Sequence, residues 1–336
     1  MRIVITGASG NLGTAVLAKL AAEMPDAEVL ALARRSPEAA EALRAPVRTE
    51  WVERDLRTDD PAAAFERADA VVHLAWAFHP ARRPDETWRT NVLGSRRVLD
   101  AADRAGVGHV LVVSSVAAYS QRLDLHPVNE QWPTDGASEA PYACEKAYVE
   151  RLLDTFEATH PSVVLTRTRP VFVFQASAAE EQRRIFAGSL LPTRLAIRAA
   201  SLALPLPEGV ALQAVHADDV AAAIVTAVDR REGGVFNLAG DGILRSGELE
   251  QVFGGRPIAL PARLVRSLVA AAFAARLLPA DPRLFDALLR VPMLSTERAR
   301  ERLDWRPRQT GADALRSLRT GLLDTRGAPT PPLHAG

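Results

Sequence analysis

The chain has 336 residues, 48% of them hydrophobic, and its 41 basic and 41 acidic residues cancel. That length buries a large core, as one α/β unit or a main domain with a smaller one, while zero net charge argues against nucleic acid, which needs a basic excess or patch. The lone Cys144 excludes an intrachain disulfide and gives no metal-ligand spacing, so no metal is expected.

The apolar run Ile3-Val4-Ile5 stops at Thr6-Gly7, which suits a buried strand better than the core of a leader peptide. Strands are predicted at Arg2–Thr6, Glu28–Ala33, Arg48–Val52, Ala70–Leu74, His109–Ser114 and Val163–Arg167, with helices near 12–24, 61–67, 86–106 and 140–159. Nearly continuous apolar strands alternating with helices indicate an α/β fold, a doubly wound parallel sheet that binds ligands at the carboxyl ends of its strands. After Pro170 the rhythm changes. Segment 176–210 reads as irregular and Leu/Pro-rich. A strand–helix pair follows at 211–229, with Asp218 or Asp219 as helix cap. Residues 244–320 read as mostly helical. Leu264 to Leu278 is apolar, but Arg266 and Arg276 interrupt it and it is too short to span a bilayer, so a soluble, cytoplasmic protein without a membrane partner is expected. The tail 326–336 reads as disordered.

Directly after the first strand comes Thr6-Gly7-Ala8-Ser9-Gly10-Asn11-Leu12-Gly13, and a helix follows. Glycines three apart let the backbone turn tightly against a pyrophosphate, and a helix N-terminus adds free N–H groups with partial positive charge. The position between strand and helix is the context such a motif requires. Residues 1–170 plus 211–240 are therefore expected to form a dinucleotide-binding domain, and 171–210 plus 241–325 a smaller, mostly helical substrate lobe. The second strand ends in Ala33-Arg34-Arg35, with no acid to accept from a ribose 2′-hydroxyl and two arginines suited to a 2′-phosphate. That favours NADP(H) over NAD(H), which stays open.

All 41 basic residues are arginine except Lys19 and Lys146. Lys146 stands four residues after Tyr142, which on a helix puts both side chains on one face. A free tyrosine, with a pKa of about 10, is a poor acid–base group at neutral pH, and a nearby ammonium lowers that value. Upstream, the strand Val110-Leu111-Val112-Val113 ends in Ser114-Ser115, which places a hydroxyl at the ligand end of the sheet. Ser115, Tyr142 and Lys146 form a candidate catalytic trio.

Together these residues resemble the extended short-chain dehydrogenase/reductase family, of the NAD(P)-dependent epimerase/dehydratase type, over about residues 1 to 310. The resemblance implies a Rossmann-type fold. It implies that Asp55-Leu56 contact adenine, that His73-Leu74-Ala75 runs along the cofactor with Trp76 following, and that Asn91 supports the active site from the central helix. It also implies that Pro170, in Arg169-Pro170, lies near the nicotinamide, and that a homodimer forms through the helices carrying Asn91 and Tyr142. Two departures narrow the chemistry. Val116-Ala117 stand where the sugar-nucleotide dehydratases carry an Asp-Glu pair, and the run after Arg169-Pro170 is the apolar Val171-Phe172-Val173-Phe174. The expectation is an NADP(H)-dependent carbonyl reductase or alcohol dehydrogenase acting on a small, fairly apolar molecule. The alternative is a sugar or sugar-nucleotide epimerase. A non-catalytic NADP sensor is disfavoured by the intact Tyr/Lys pair, and non-redox biosynthetic chemistry on the same fold remains a further reading.

Overall fold

The structure is a computed structural model, which describes residues 1–78, 82–186, 188, 193–279 and 281–334. In chain order the first half runs β1 (Arg2–Thr6), α1 (Asn11–Glu23), β2 (Glu28–Ala33), β3 (Arg48–Glu53), α2 (Ala62–Phe65), β4 (Ala70–His73), α3 (Pro84–Trp88), α4 (Gly94–Arg104), β5 (His109–Val113), α5 (Pro141–Thr159) and β6 (Val164–Pro170). The second half adds β7 (Phe172–Phe174), α6 (Ala179–Phe186), α7 (Thr193–Ala200), β8 (Ala203–Pro207), β9 (Ala214–His216), α8 (Ala217–Asp229), β10 (Gly234–Leu238) and α9 (Ser246–Phe253). It ends with β11 (Arg256–Leu260), α10 (Ala262–Ala274), α11 (Pro282–Leu289), α12 (Glu297–Arg302) and α13 (Gly311–Leu323). Among the described residues no helix is long and apolar enough to cross a membrane.

Seven strands form one sheet in the order β3-β2-β1-β4-β5-β6-β10, with every neighbouring pair parallel. The alternation of strand side chains divides the core in two. Ile3 and Ile5 of β1 face α1 and α8, where they meet Leu17, Ile224 and Phe236. Val4 faces the other side, in a cluster with Val98, Val110 and Leu153. Each such fully buried side chain contributes about 1.5–3 kcal/mol, which is why β-branched runs at these positions settle as central strands.

The structure departs from the predicted elements in five places. The helix expected over 86–106 is interrupted by a π-helical turn, Arg89–Leu93, between α3 and α4. Segment 176–210 is not irregular. It holds α6, with Glu180 and Glu181 in its first turn and Arg183 and Arg184 in its last, which complements the helix dipole, followed by α7 and β8. Two small parallel sheets pair β11 with β8 and β7 with β9, although β11 lies in a stretch that reads as helical. The cap of α8 is His216, whose Nδ1 accepts from Asp218 N at 3.2 Å; Asp219 instead accepts from the N–H groups of Arg308 and Gln309. The tail, where described, packs rather than straying. Leu333 is fully buried, and Arg184 donates to the carbonyls of Pro332 and His334, so one apolar residue and one arginine fork anchor a stretch whose composition signals disorder.

Candidate active site

The order of the sheet reverses between β1 and β4, and a cleft opens there beyond the carboxyl ends of the strands. It has a volume of about 310 Å³. Of the cofactor and catalytic residues expected from sequence, all but Arg35, His73 and Asn91 line it.

At the loop after β1, Gly7 has φ +74° and donates to Leu32 O at 2.9 Å. A Cβ there would lie 2.6 Å from Ala75 N, and one at Gly13 would lie 2.4 Å from the carbonyl oxygens of Gly7 and Ala8. Neither position tolerates a side chain, so the loop and the chain after β4 pack backbone to backbone. Around Gly10 the floor is open, since a Cβ would meet only Gly7 O, at 3.4 Å. No side chain caps α1 at Gly10 and no acid stands in its first turn, which leaves the positive helix end to the cleft. This cradle fits a dinucleotide pyrophosphate. Sequence reasoning missed Gln175, whose Nε2 donates to Asn11 O and to Asn11 Oδ1, each at 2.7 Å, and so locks the loop to the lobe.

At the other end Arg34 lines the cleft and Arg35 does not, because consecutive residues leaving a strand diverge. The second cation there is Arg54, which sequence reasoning missed. The register pairs Ala33 with Glu53, so the residues following β2 and β3 emerge side by side. Asp55 holds Arg57 in a two-pronged ion pair at 2.6–3.1 Å, and that hydrogen bond keeps its carboxyl below the usual range.

The trio meets between β5 and α5. Ser115 follows β5, its Oγ accepts from Ala117 N at 3.1 Å, and its hydroxyl favours the ionised form of the nearby Tyr142 phenol. Burial pushes the phenol up to about 12, against the lowering pull of that hydroxyl. Lys146 is 4% exposed; its Nζ donates to Val113 O at 3.1 Å and sits 3.4 Å from the centroid of the Trp76 ring. Burial brings the ammonium down to about 7, opposed by the charges of Glu150 and Glu145. The lowering of the tyrosine expected from Lys146 is therefore not seen in this arrangement. Burial governs both groups.

Asn91 stands behind the cleft rather than in it. It is fully buried on the π-helical turn, where its Oδ1 accepts from Ala77 N at 2.7 Å and its Nδ2 donates to Ala77 O at 2.9 Å and to Glu145 Oε2 at 2.7 Å. Glu145, which sequence reasoning passed over, also accepts from Thr87 at 2.6 Å. The pair bolts the strand-exit segment after β4 to α5, so Asn91 is a positioning residue. His73 is neutral, bracketed by Thr6 and Ser95, with its pKa driven down to about 3 by burial.

On the far side of Tyr142 the cleft is walled by residues of α6 and α11. Glu181 of α6 lines it, and burial raises its carboxyl to about 7. The folded chain therefore holds a proton there that the unfolded chain has released, and the resulting stability, full below about pH 4.5, is lost as pH rises through about 7. A Glu181→Gln variant is expected to lose this slope. Denaturant unfolding at pH 5 and pH 8, compared with wild type, checks it.

The family model of the NAD dependent epimerase/dehydratase family matches residues 3–239, and the chain belongs to that family, as an NAD(P)-dependent enzyme of the extended short-chain dehydrogenase/reductase type. A UDP-glucose 4-epimerase of Azospirillum brasilense is 27% identical over 340 residues, covering 94% of this chain and 89% of that protein. The 4-hydroxy-2-methyl-3-oxo-4-farnesyl-3,4-dihydroquinoline-1-oxide ketoreductase of Stigmatella aurantiaca is 31% identical over 178 residues. That match covers 52% of this chain and 51% of the ketoreductase, about half of its length. The crystal structure of a UDP-glucose-4-epimerase from Stenotrophomonas maltophila, with bound NAD and formylated UDP-arabinopyranose, matches with a TM-score of 0.73 at 21% identity, covering 97% and 98% of the two chains. That likeness is one of fold.

Proposed function

We propose that the chain catalyses reversible hydride transfer at a secondary alcohol or ketone carbon. Tyr142 moves the oxygen's proton, Ser115 holds that oxygen, and Lys146 binds the cofactor ribose and steadies the phenolate. The observation that carries this reading is the meeting of Ser115, Tyr142 and Lys146 at one end of a glycine-floored cleft. Gly7, Ser9, Gly10, Asn11, Leu12 and Gly13 would hold the pyrophosphate, Asp55 and Leu56 the adenine, and Leu74, Ala75, Trp76, Ser114 and Pro170 the nicotinamide half. When bound, a nicotinamide accepts a hydride from the carbinol carbon or gives one back. The UDP-glucose 4-epimerase matches along most of both chains, so inversion at that carbon with no net change of cofactor is the leading outcome, ahead of the net carbonyl reduction expected from sequence. The expected result is stoichiometric cofactor retained through gel filtration, and substrate inversion without loss of nicotinamide absorbance. Steady consumption of free reduced cofactor would move the second reading forward. That reading, net reduction of a carbonyl compound, draws on the ketoreductase likeness and on the apolar lobe side of the cleft.

For the cofactor we infer a preference for the 2′-phosphorylated form, from Arg34 and Arg54 at the adenosine end. Each charge-assisted hydrogen bond contributes about 1.5–3 kcal/mol, so Arg34→Ala is expected to weaken NADPH binding about tenfold or more and leave NADH unchanged. Calorimetric titration with both cofactors checks this, and equal losses for both would remove the preference. Leu93 and Tyr148, exposed on the elements that carry Asn91 and Tyr142, support a homodimer through them.

A further inference from the structure

Beyond Tyr142 the cleft is lined by Phe78, Phe174, Ile185, Phe186, Leu284 and Leu288. Phe78 lies nearly parallel to the Tyr142 ring, 5.1 Å away at 15°, and Phe186 stands edge-on to Phe78 at 6.3 Å. Leu288 of α11 packs in the same cluster as Tyr142. These rings and aliphatic chains form a flat-walled slot directly beside the group that handles the proton.

The charges around this slot are arranged against an anion. Among the described lining residues the cations are Arg34 and Arg54, at the β2–β3 end, and Lys146 of the trio, while the slot side offers Glu181. Four arginines near the slot are committed elsewhere. Arg183 binds Glu180 and Gly188 O, Arg184 binds the tail carbonyls, Arg283 binds Asp281, and Arg82 donates to Phe273 O. Among the described residues, the two helices that line the slot offer no open N-terminus. The first turn of α6 carries Glu180 and Glu181, and α11 is capped by its own Asp281, which accepts from Arg283 N at 2.8 Å. A nucleoside diphosphate brings two negative charges, and burying each one unpaired costs several kcal/mol.

We propose that the substrate held here is a neutral, largely apolar ring alcohol or ketone, and not a nucleoside diphosphate derivative. The proposal rests on the reading that Tyr142 works on a carbinol or carbonyl carbon, and it is compatible with either inversion or net reduction there. The flat aromatic slot sets the ring preference, and Glu181 provides its acidic polar contact.

Binding alone tests it. The protein is loaded with NADPH, so that no nucleotide can occupy the cofactor cleft, and titrated with the neutral fluorescent probe N-phenyl-1-naphthylamine. Saturable enhancement is expected, weakened about tenfold by Phe186→Asn and by Leu284→Asn, each of which removes apolar lining from the slot. Unchanged NADPH binding by both variants verifies their folding. UDP-glucose at millimolar concentration is expected neither to displace the probe nor to give binding heat. Displacement by UDP-glucose, or probe binding indifferent to both substitutions, overturns the proposal. The outcome is separate from that of the redox reading. A chain that binds the probe as expected but never changes nicotinamide absorbance or configuration with any alcohol or ketone refutes the chemistry and leaves the slot's preference standing.

Discussion

Tyr142→Phe is expected to bind cofactor as the wild type does but to lose about 10²–10⁴ of turnover, the usual contribution of a positioned acid–base group. The substitution deletes one oxygen. It leaves the ring between Trp76, edge-on at 5.8 Å, and Phe78, stacked at 5.1 Å, so the walls of the cleft keep their shape. What is lost is the phenolic proton. At neutral pH the phenol is protonated, since burial holds it near 12, and it can donate to a carbonyl oxygen. For the reverse direction it needs a cation beside it. Lys146 is at hand, its pKa brought down to about 7 by burial. The measurement is turnover of any substrate the wild type accepts, beside calorimetric cofactor affinity. Full turnover in the variant would remove Tyr142 from the chemistry.

Glu150→Gln is expected to destabilise the chain by about 3–5 kcal/mol, because it strips the shared partner from two buried arginines. Glu150 is 0% exposed on α5, and Arg167 and Arg169 of β6 are 3% and 4% exposed. Arg169 grips the carboxylate with two prongs, Nε and Nη2, each at 2.8 Å, and Arg167 reaches it at 3.2 Å. Arg167 keeps Asp154 and Glu157, but Arg169 is left with Tyr119 and the Glu130 carbonyl. Burial raises the Glu150 pKa, yet the hydrogen bond and charge of Arg169 outweigh it and bring it to about 2. A depressed carboxylate pKa stabilises the fold above its unfolded value of about 4.3, and that stability is lost as pH falls through about 2. Denaturant unfolding at neutral pH measures the loss. A change under about 1 kcal/mol would mean that the arginines find other partners.

The residues legible in the sequence are those that obey local rules. The glycine loop, Ser115, Tyr142 and Lys146 lie at strand ends or at helical spacing, and their neighbours along the chain are enough to place them. Arg54 was hidden because its position depends on the register between two strands, which the sequence of neither strand contains. Sequence spacing places Asn91 on a helix over 86–106, but the π-helical turn that directs it to Ala77 and Glu145 has no residue signature. Glu145 lies between two trio residues and looks like surface charge until Thr87 and Asn91 are seen to close on it. The lobe was hardest to read. Its Leu/Pro-rich segments draw their order from pairings such as β8 with β11, about fifty residues apart, and long-range pairing outweighs local propensity.

The position of β10 has a consequence for dissecting the chain. This strand is made after much of the lobe, yet it covers the outer edge of β6 and brings Asn237 to Tyr119, whose hydroxyl donates to Asn237 Oδ1 at 2.8 Å. A fragment stopped at residue 170 would contain every residue of the trio and the whole glycine loop. It would also present the bare hydrogen-bonding rim of β6, an adhesive border on which identical fragments can stack. Attempts to express the nucleotide half alone should therefore yield insoluble material, and a workable minimal piece has to carry the lobe along as far as Leu238.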